Sequence, residues 1–169
     1  MKPFNAPKQY TRTDSPKILI SACLLGERVR YDAKLLDIKS QQILYWQQQN
    51  LLVPLCPEVL GGLATPRAKA ELNVQRQAWT EDGKNLSTFF QQGAEKALQL
   101  AKQHQVIMAI LKSKSPSCGN QKIYNGDFEG ILIQGQGITA KLLSENGIAV
   151  FNENQLASAR DFYLENAFG

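Results

Sequence analysis

The stretch that decides the fold is KILISA, residues 17–22, an almost continuous apolar run that leads into a loop containing Gly26. A short run of this kind predicts a strand that is buried on both faces, as in a parallel sheet. The runs LLVPL (51–55) and VIMAIL (106–111) have the same character. Because proline cannot donate a ladder hydrogen bond, Pro54 predicts that the second strand lies at a sheet edge or ends there.

Helical patterns separate these apolar runs. The most regular helical spacing covers residues 86–101, where Asn85 or Ser87 is the predicted cap. Further helices are predicted over 35–49, 138–144 and 155–167 (the last capped by Asn152), and further strands over 130–134, 147–151 and near 72–74 within the long loop 57–84. Strands that alternate with helices predict an α/β fold, a single three-layer domain with a mostly parallel, Rossmann-like sheet and helices on both faces.

The composition is that of an ordinary globular protein. The chain has 169 residues, and we expect residues 17–169 to form one domain and the proline-containing residues 1–16 an irregular extension. The net charge of +4 comes without a Lys/Arg cluster, so we expect no stable nucleic-acid partner. No apolar run reaches the ~18–20 residues that span a bilayer, and the start lacks a signal-peptide core. We therefore expect a cytoplasmic protein without membrane attachment.

The cysteines are the most informative residues. There are three of them, Cys23, Cys56 and Cys118, and this odd number does not fit a paired disulfide framework. Each follows a predicted strand, and parallel sheets bind ligands outside the carboxyl ends of their strands. If the three strands are neighbours, the three thiols can converge on one point.

Three converging thiolates would favour zinc, copper(I) or an iron–sulfur cluster. The chain has no C-x-x-C pair of the kind that structural zinc sites use, and three protein ligands would leave a coordination position open. The alternatives are that the cysteines fill the core or that one of them is a reactive thiol. The only histidine, His104, follows the long helix, and we expect it to be a solvated or capping residue far from the cysteines.

The cysteines also lie in distinctive stretches, which are SACLLG (21–26), CPEVLGG (56–62) and SPSCG (115–119), accompanied by RYD (30–32), TPR (65–67), IYNG (123–126) and GIAVF (147–151). With these motifs the chain resembles the thiouracil desulfidase (TudS-type) family over nearly all of residues 17–152. The resemblance implies an oxygen-sensitive 4Fe-4S cluster held by Cys23, Cys56 and Cys118, with the fourth iron open to the sulfur of the substrate.

The resemblance also implies a reaction. The substrate would be a small thiolated pyrimidine, 4-thiouracil or its nucleoside monophosphate, and the products would be the oxo-pyrimidine and hydrogen sulfide, with no net redox change. The sequence leaves open whether the free base, the nucleotide or thiolated tRNA is used, and we expect a monomer or weak dimer. The alternative function is a non-catalytic iron–sulfur or thiol-based module that binds nucleotides or senses redox state.

Hydrolysis needs a general base, and the candidate for general acid–base catalysis is Glu58, two residues after Cys56. The alternative for Glu58 is a loop cap or an ion pair with Arg67. Ser115 could position the ring or the water, with Ser117 as the competing choice, and the alternative for Ser115 is a turn-forming hydroxyl before proline.

The remaining candidates would bind the substrate. Lys112, Lys114, Arg67 and Arg30 could hold a ribose phosphate, although solvated side chains are an equal expectation for the lysines. Tyr31 and Asn120 could stack on the pyrimidine ring or read its edge.

Overall fold

The computed structural model describes residues 15–168, so the predicted extension over residues 1–16 lies almost wholly outside the described residues. The strands are β1 (Lys17–Ser21), β2 (Leu52–Leu55), β3 (Ala70–Leu72), β4 (Ala78–Thr80), β5 (Val106–Leu111), β6 (Lys122–Tyr124), β7 (Leu132–Gln134) and β8 (Ala149–Asn152). The helices are α1 (Gln41–Gln48), α2 (Pro57–Leu60), α3 (Ser87–Gln103), α4 (Ile138–Glu145) and α5 (Leu156–Ala167).

The central sheet has four strands in the order β2-β1-β5-β8, and every neighbouring pair is parallel. Ile18, Leu19 and Ile20 of β1 have no exposed surface, which confirms that this strand is buried on both faces. Pro54 lies in the edge strand β2, as its position in the sequence predicts.

Helices cover both faces of the sheet, which confirms the predicted α/β class. Alternate side chains of β1 and β5 point to opposite faces. One face packs against α1 and α5 through Ile18, Ile20, Met108, Ile110, Trp46, Ala159 and Tyr163. The other packs against α3 and α4 through Leu19, Ala109, Leu111, Ala97, Ala101, Ala140 and Leu143. None of the helices in residues 15–168 has the length and apolarity needed to cross a membrane.

The strand predicted over residues 130–134 is present as β7, but it does not belong to the parallel central sheet. β7 pairs antiparallel with β6 in a separate two-stranded sheet, and β3 pairs with β4 in another. Ile131 and Ile133 stay about half exposed, so this apolar stretch is not a core strand. The sequence pattern could not distinguish a buried strand from an apolar hairpin arm.

Helix beginnings also differ from the prediction. Residues 35–40 are not helical, because the Ser40 hydroxyl accepts the Ile43 amide and starts α1 there. The cap residue of α3 is Leu86, since the Ser87 hydroxyl accepts the Ala78 amide instead.

Asn152 does not cap α5, which begins after Gln155. The side-chain oxygen of Asn152 accepts a hydrogen bond from the Asn154 amide, so Asn152 belongs to the turn that follows β8.

Candidate active site

The three cysteines line one cavity of about 290 Å³ at the carboxyl edge of the central sheet. They follow three adjacent strands, β2, β1 and β5, so the strand order brings them together. Cys23 lies in a 3-10 turn over Ala22–Leu25, and Cys56 is the residue before α2. Cys118 lies in the loop between β5 and β6 and is 5% exposed.

The donor set of three thiols in one cavity fits a soft metal centre. All three cysteines are free thiols. Within residues 15–168 no three His, Cys, Asp or Glu side chains are gathered closely enough for a single metal ion. Three thiols that share a cavity match an iron–sulfur cluster, because its irons are each bound by a separate thiolate.

Burial makes these thiols poor nucleophiles in the absence of a metal. It raises the pKa of Cys23 to about 11, with Cys56 adding to the rise and Lys112 opposing it. Burial likewise raises the pKa of Cys118, against the hydrogen bond from Ser21, and that of Cys56, against the amide of Val59. Because only thiolates bind metal, the site is expected to release protons when a metal centre is bound.

Glu58 lies in the first turn of α2 and also lines the cavity. Its Oε1 accepts a hydrogen bond from Arg67 Nε at 3.1 Å, so the ion pair considered from the sequence is present. Oε2 has no hydrogen-bond partner among residues 15–168, which leaves it available to a water or substrate. Burial raises the pKa of the Glu58 carboxyl, and the Arg67 guanidinium offsets part of that rise.

Arg67 is a rigid support for this carboxylate. Its guanidinium donates to the Val29 carbonyl at 2.9 Å, the Thr65 hydroxyl at 2.9 Å and the Ala64 carbonyl at 3.2 Å. Its side chain is only 7% exposed, and its position is therefore fixed by the loops around it. Arg67 lines the cavity, but its donors are committed to protein partners, which disfavours a role in binding phosphate.

The two candidate serines are separated by the structure. Ser115 lines the cavity, and its hydroxyl oxygen accepts the amides of Ser117 at 3.1 Å and Cys118 at 3.0 Å, so it also forms the turn. The Ser117 hydroxyl is fully buried against Thr139 and does not line the cavity. Ser117 fails as a substrate-binding candidate because its side chain packs at the start of α4.

Asn120 is a second candidate that the structure places elsewhere. Its amide donates to the Val150 carbonyl and the Gln155 side chain, and its oxygen accepts from Asn152. It ties the loop after Cys118 to β8 and does not line the cavity.

The other cationic and aromatic candidates do line the cavity. Lys112 pairs with Glu153 at 3.2 Å, and Arg30 pairs with Asp32 at 3.2 Å. Lys114 is exposed, and its side chain has no hydrogen bond or ion pair within residues 15–168. Tyr31 lines the same wall, with the Arg30 guanidinium 6.0 Å from its ring centroid. Lys114 is therefore the cation with most freedom to meet an anionic ligand.

Sequence reasoning missed several residues that line the cavity, and it missed Glu153, which contacts two of the lining residues. Ser21 lies in a conspicuous motif and Tyr124 in another, so a signal existed for both. Lys69 lines the cavity with its ammonium 4.2 Å from the Tyr124 ring centroid, and Glu153 accepts from Lys112 and from the Ser113 amide. Neither Lys69 nor Glu153 lies in a recognisable pattern.

The amino end of the sheet contributes nothing to this site. His104 is exposed and follows the last turn of α3 as its C-cap, as the sequence predicts. No histidine can therefore activate one of the cysteines.

The fold and site together define a class, a small parallel α/β protein with a three-thiol metal-binding pocket at the carboxyl edge of its sheet. The profile of the 2-thiouracil desulfurase family matches residues 18–155. This protein belongs to that family.

Two relatives agree with this membership. The chain is 39% identical over 148 residues to YbbK, an uncharacterized protein of Bacillus subtilis (strain 168), and the match covers 82% of this chain and 97% of the relative. It is 43% identical to a solved structure described as the 4Fe-4S-dependent thiouracil desulfidase TudS, with a TM-score of 0.83. That match covers 87% of this chain and 99% of the solved one.

Proposed function

We propose that this protein is a cytoplasmic 4Fe-4S-dependent desulfidase that converts a thiolated uracil and water into the oxo-pyrimidine and hydrogen sulfide. The observation that carries the proposal is the cavity in which three thiols and the Glu58 carboxyl face the same space. Family membership and the likeness to TudS support the same conclusion. The reaction exchanges one C=S for one C=O and needs no electron donor or acceptor.

Cys23, Cys56 and Cys118 would hold the cluster. When bound, the cluster supplies an iron that no cysteine ligates, a Lewis acid for the thiocarbonyl sulfur. The burial of Cys23 and Cys118 suits this purpose, because a low-dielectric surrounding strengthens the interaction of metal with thiolate. With no fourth thiol or imidazole lining the cavity, the described residues leave one ligand place to the substrate.

Glu58 would act as the general base. Its Oε2 is free among the described residues, while Arg67 holds Oε1, so the carboxylate presents one oxygen in a fixed direction. A water bound there would lose a proton to Glu58 as it attacks the ring carbon. Burial favours this role, since a raised pKa makes the carboxylate a stronger base.

The rest of the cavity would position the substrate. Tyr31 offers a flat surface to the pyrimidine ring, and Lys112, Lys114 and Arg30 surround the same space. The Ser115 hydroxyl keeps its proton for a substrate or water acceptor, because its oxygen accepts two amides and it has no acceptor among the described residues. A cavity of about 290 Å³ is at the small end of ligand sites, which favours a base or mononucleotide over tRNA.

Two alternatives are less well supported. A cysteine nucleophile would need a lowered pKa, whereas burial raises the pKa of all three thiols. A non-catalytic sensing module would not require a carboxylate held with one free oxygen beside the thiols.

The deciding experiment is an anaerobic sulfide-release assay on the iron-reconstituted protein. It would compare 4-thiouracil, 4-thio-UMP and 2-thiouracil, the compound in the family's description. Release of sulfide with the oxo-pyrimidine in equal amounts is the expected result. Tight binding of a thiolated nucleotide without sulfide release would favour the sensing module, and a protein that takes up no iron would overturn the proposal.

A further inference from the structure

Ser21 is the last residue of β1. Its hydroxyl contacts Cys118, and this contact has no part in the proposed reaction. Its hydroxyl lies 3.5 Å from Cys118 Sγ in a buried part of the site. The same oxygen accepts the backbone amide of Lys112 at 2.9 Å. Because a hydroxyl has a single proton and the amide occupies the acceptor side, the Ser21 proton is directed to the sulfur.

Of the three cysteines, Cys118 has the closest side-chain hydrogen-bond donor. It is 5% exposed, so water cannot solvate the negative charge that a thiolate would carry there. The nearest side-chain donor to Cys56 is Arg67, at 3.9 Å, and its guanidinium also serves Glu58 and the Val29 carbonyl. The sulfur of Cys23 has no hydrogen bond within residues 15–168.

We propose that Ser21 is a positioning residue that hydrogen-bonds the Cys118 thiolate and thereby raises the reduction potential of the cluster. This inference rests on the proposed function, which places the cluster on Cys118. Reduction adds negative charge to a cluster and its thiolates, and a hydrogen bond to a thiolate sulfur stabilises the more negative state. Ser21 therefore sets how much charge Cys118 transfers to the iron that it holds.

The test measures the midpoint potential of the reconstituted protein by anaerobic titration, with iron content determined for every sample. Ser21→Ala removes the donor, and Ser21→Thr keeps a hydroxyl. Ser113→Ala is the matched control, because Ser113 also lines the cavity but its hydroxyl contacts Lys112 and no sulfur. We expect a more negative potential in S21A and values close to wild type in S21T and S113A.

The outcomes separate the two proposals. An S21A protein with full iron and an unchanged potential overturns the role of Ser21. If S21A loses the cluster and S21T retains it, the hydroxyl is required at that sulfur, which supports the inference. Loss in both variants assigns Ser21 to packing and overturns it. A wild-type protein that binds no iron contradicts the proposed function itself.

Discussion

The two ends of the central sheet are built differently. At the amino end, helices lead into strands through tight turns at Asn50, Gln105 and Gly147, all with positive φ. At the carboxyl end, long loops carry buried thiols and paired charges. The connection between β5 and α4 is one of these and contains Cys118.

Two of the amino-end turns are closed by backbone hydrogen bonds. After α1, the Asn50 amide donates to Gln47 and the next amide donates to Trp46, and the turn after α4 repeats this pattern. This is the Schellman motif, which satisfies the last carbonyls of a helix without side chains. The comparison shows that the turns at the amino end maintain the packing of the sheet and its helices. The loops at the carboxyl end hold the residues of the candidate active site.

Loss of any one cysteine should have the largest effect. We expect Cys23→Ala, Cys56→Ala and Cys118→Ala each to abolish cluster binding and sulfide release, because a cluster needs all of its ligands. Iron content and visible absorbance under anaerobic conditions would measure this, with circular dichroism as the check on folding. If two of the three variants kept full activity, a single nucleophilic thiol would replace the cluster in the mechanism.

Glu58→Gln should have the next largest effect. The amide cannot accept the proton of water, so turnover should fall about 10²–10⁴-fold while the iron content stays at the wild-type level. Glu145→Gln is the control, since Glu145 is exposed on α4. Wild-type turnover in the E58Q protein would remove Glu58 from the reaction.

A change in the packing of α2 against α3 tests whether the residues of the candidate active site depend on the packing of the helices. A Cβ at Gly93 of α3 would overlap the Pro57 carbonyl, next to both Cys56 and Glu58. Gly93→Ala should therefore lower the free energy of unfolding by about 1–3 kcal/mol and reduce iron occupancy.

The neighbouring exposed residue Gln92 provides the control for this packing. Gln92→Ala should leave both the urea midpoint and the iron content near wild type. An unchanged midpoint in G93A would show that α2 and α3 can separate without cost.

The smallest effect is expected at the amino end. Gly147 has φ +80° and open space around its Cα, so Gly147→Ala adds backbone strain without a clash. We expect a loss of about 1–2 kcal/mol in urea unfolding and unchanged sulfide release at a temperature where the variant is folded. A fall in turnover without loss of folded protein would contradict the division between the two ends.

The sequence by itself determined the buried strands and the position of each cysteine just after one of them. Both depend on local pattern, since a short apolar run is a strand signal wherever the strand later lies. It also placed Glu58 within two residues of Cys56, so their shared cavity depends on one short helix. The same local pattern predicted the strand over residues 130–134 but not the sheet that it joins, because an apolar arm of a hairpin has the same composition as a core strand.

Only the tertiary structure decided which side chains meet. The strand order β2-β1-β5 makes the three thiols neighbours, and it brings Ser21 to Cys118 across 97 positions of the chain. The tertiary structure also places the Ser117 hydroxyl against Thr139 of α4, away from the cavity that Cys118 lines. Contacts of this range are set by the packing of helices and strands on one another, and no local pattern encodes them.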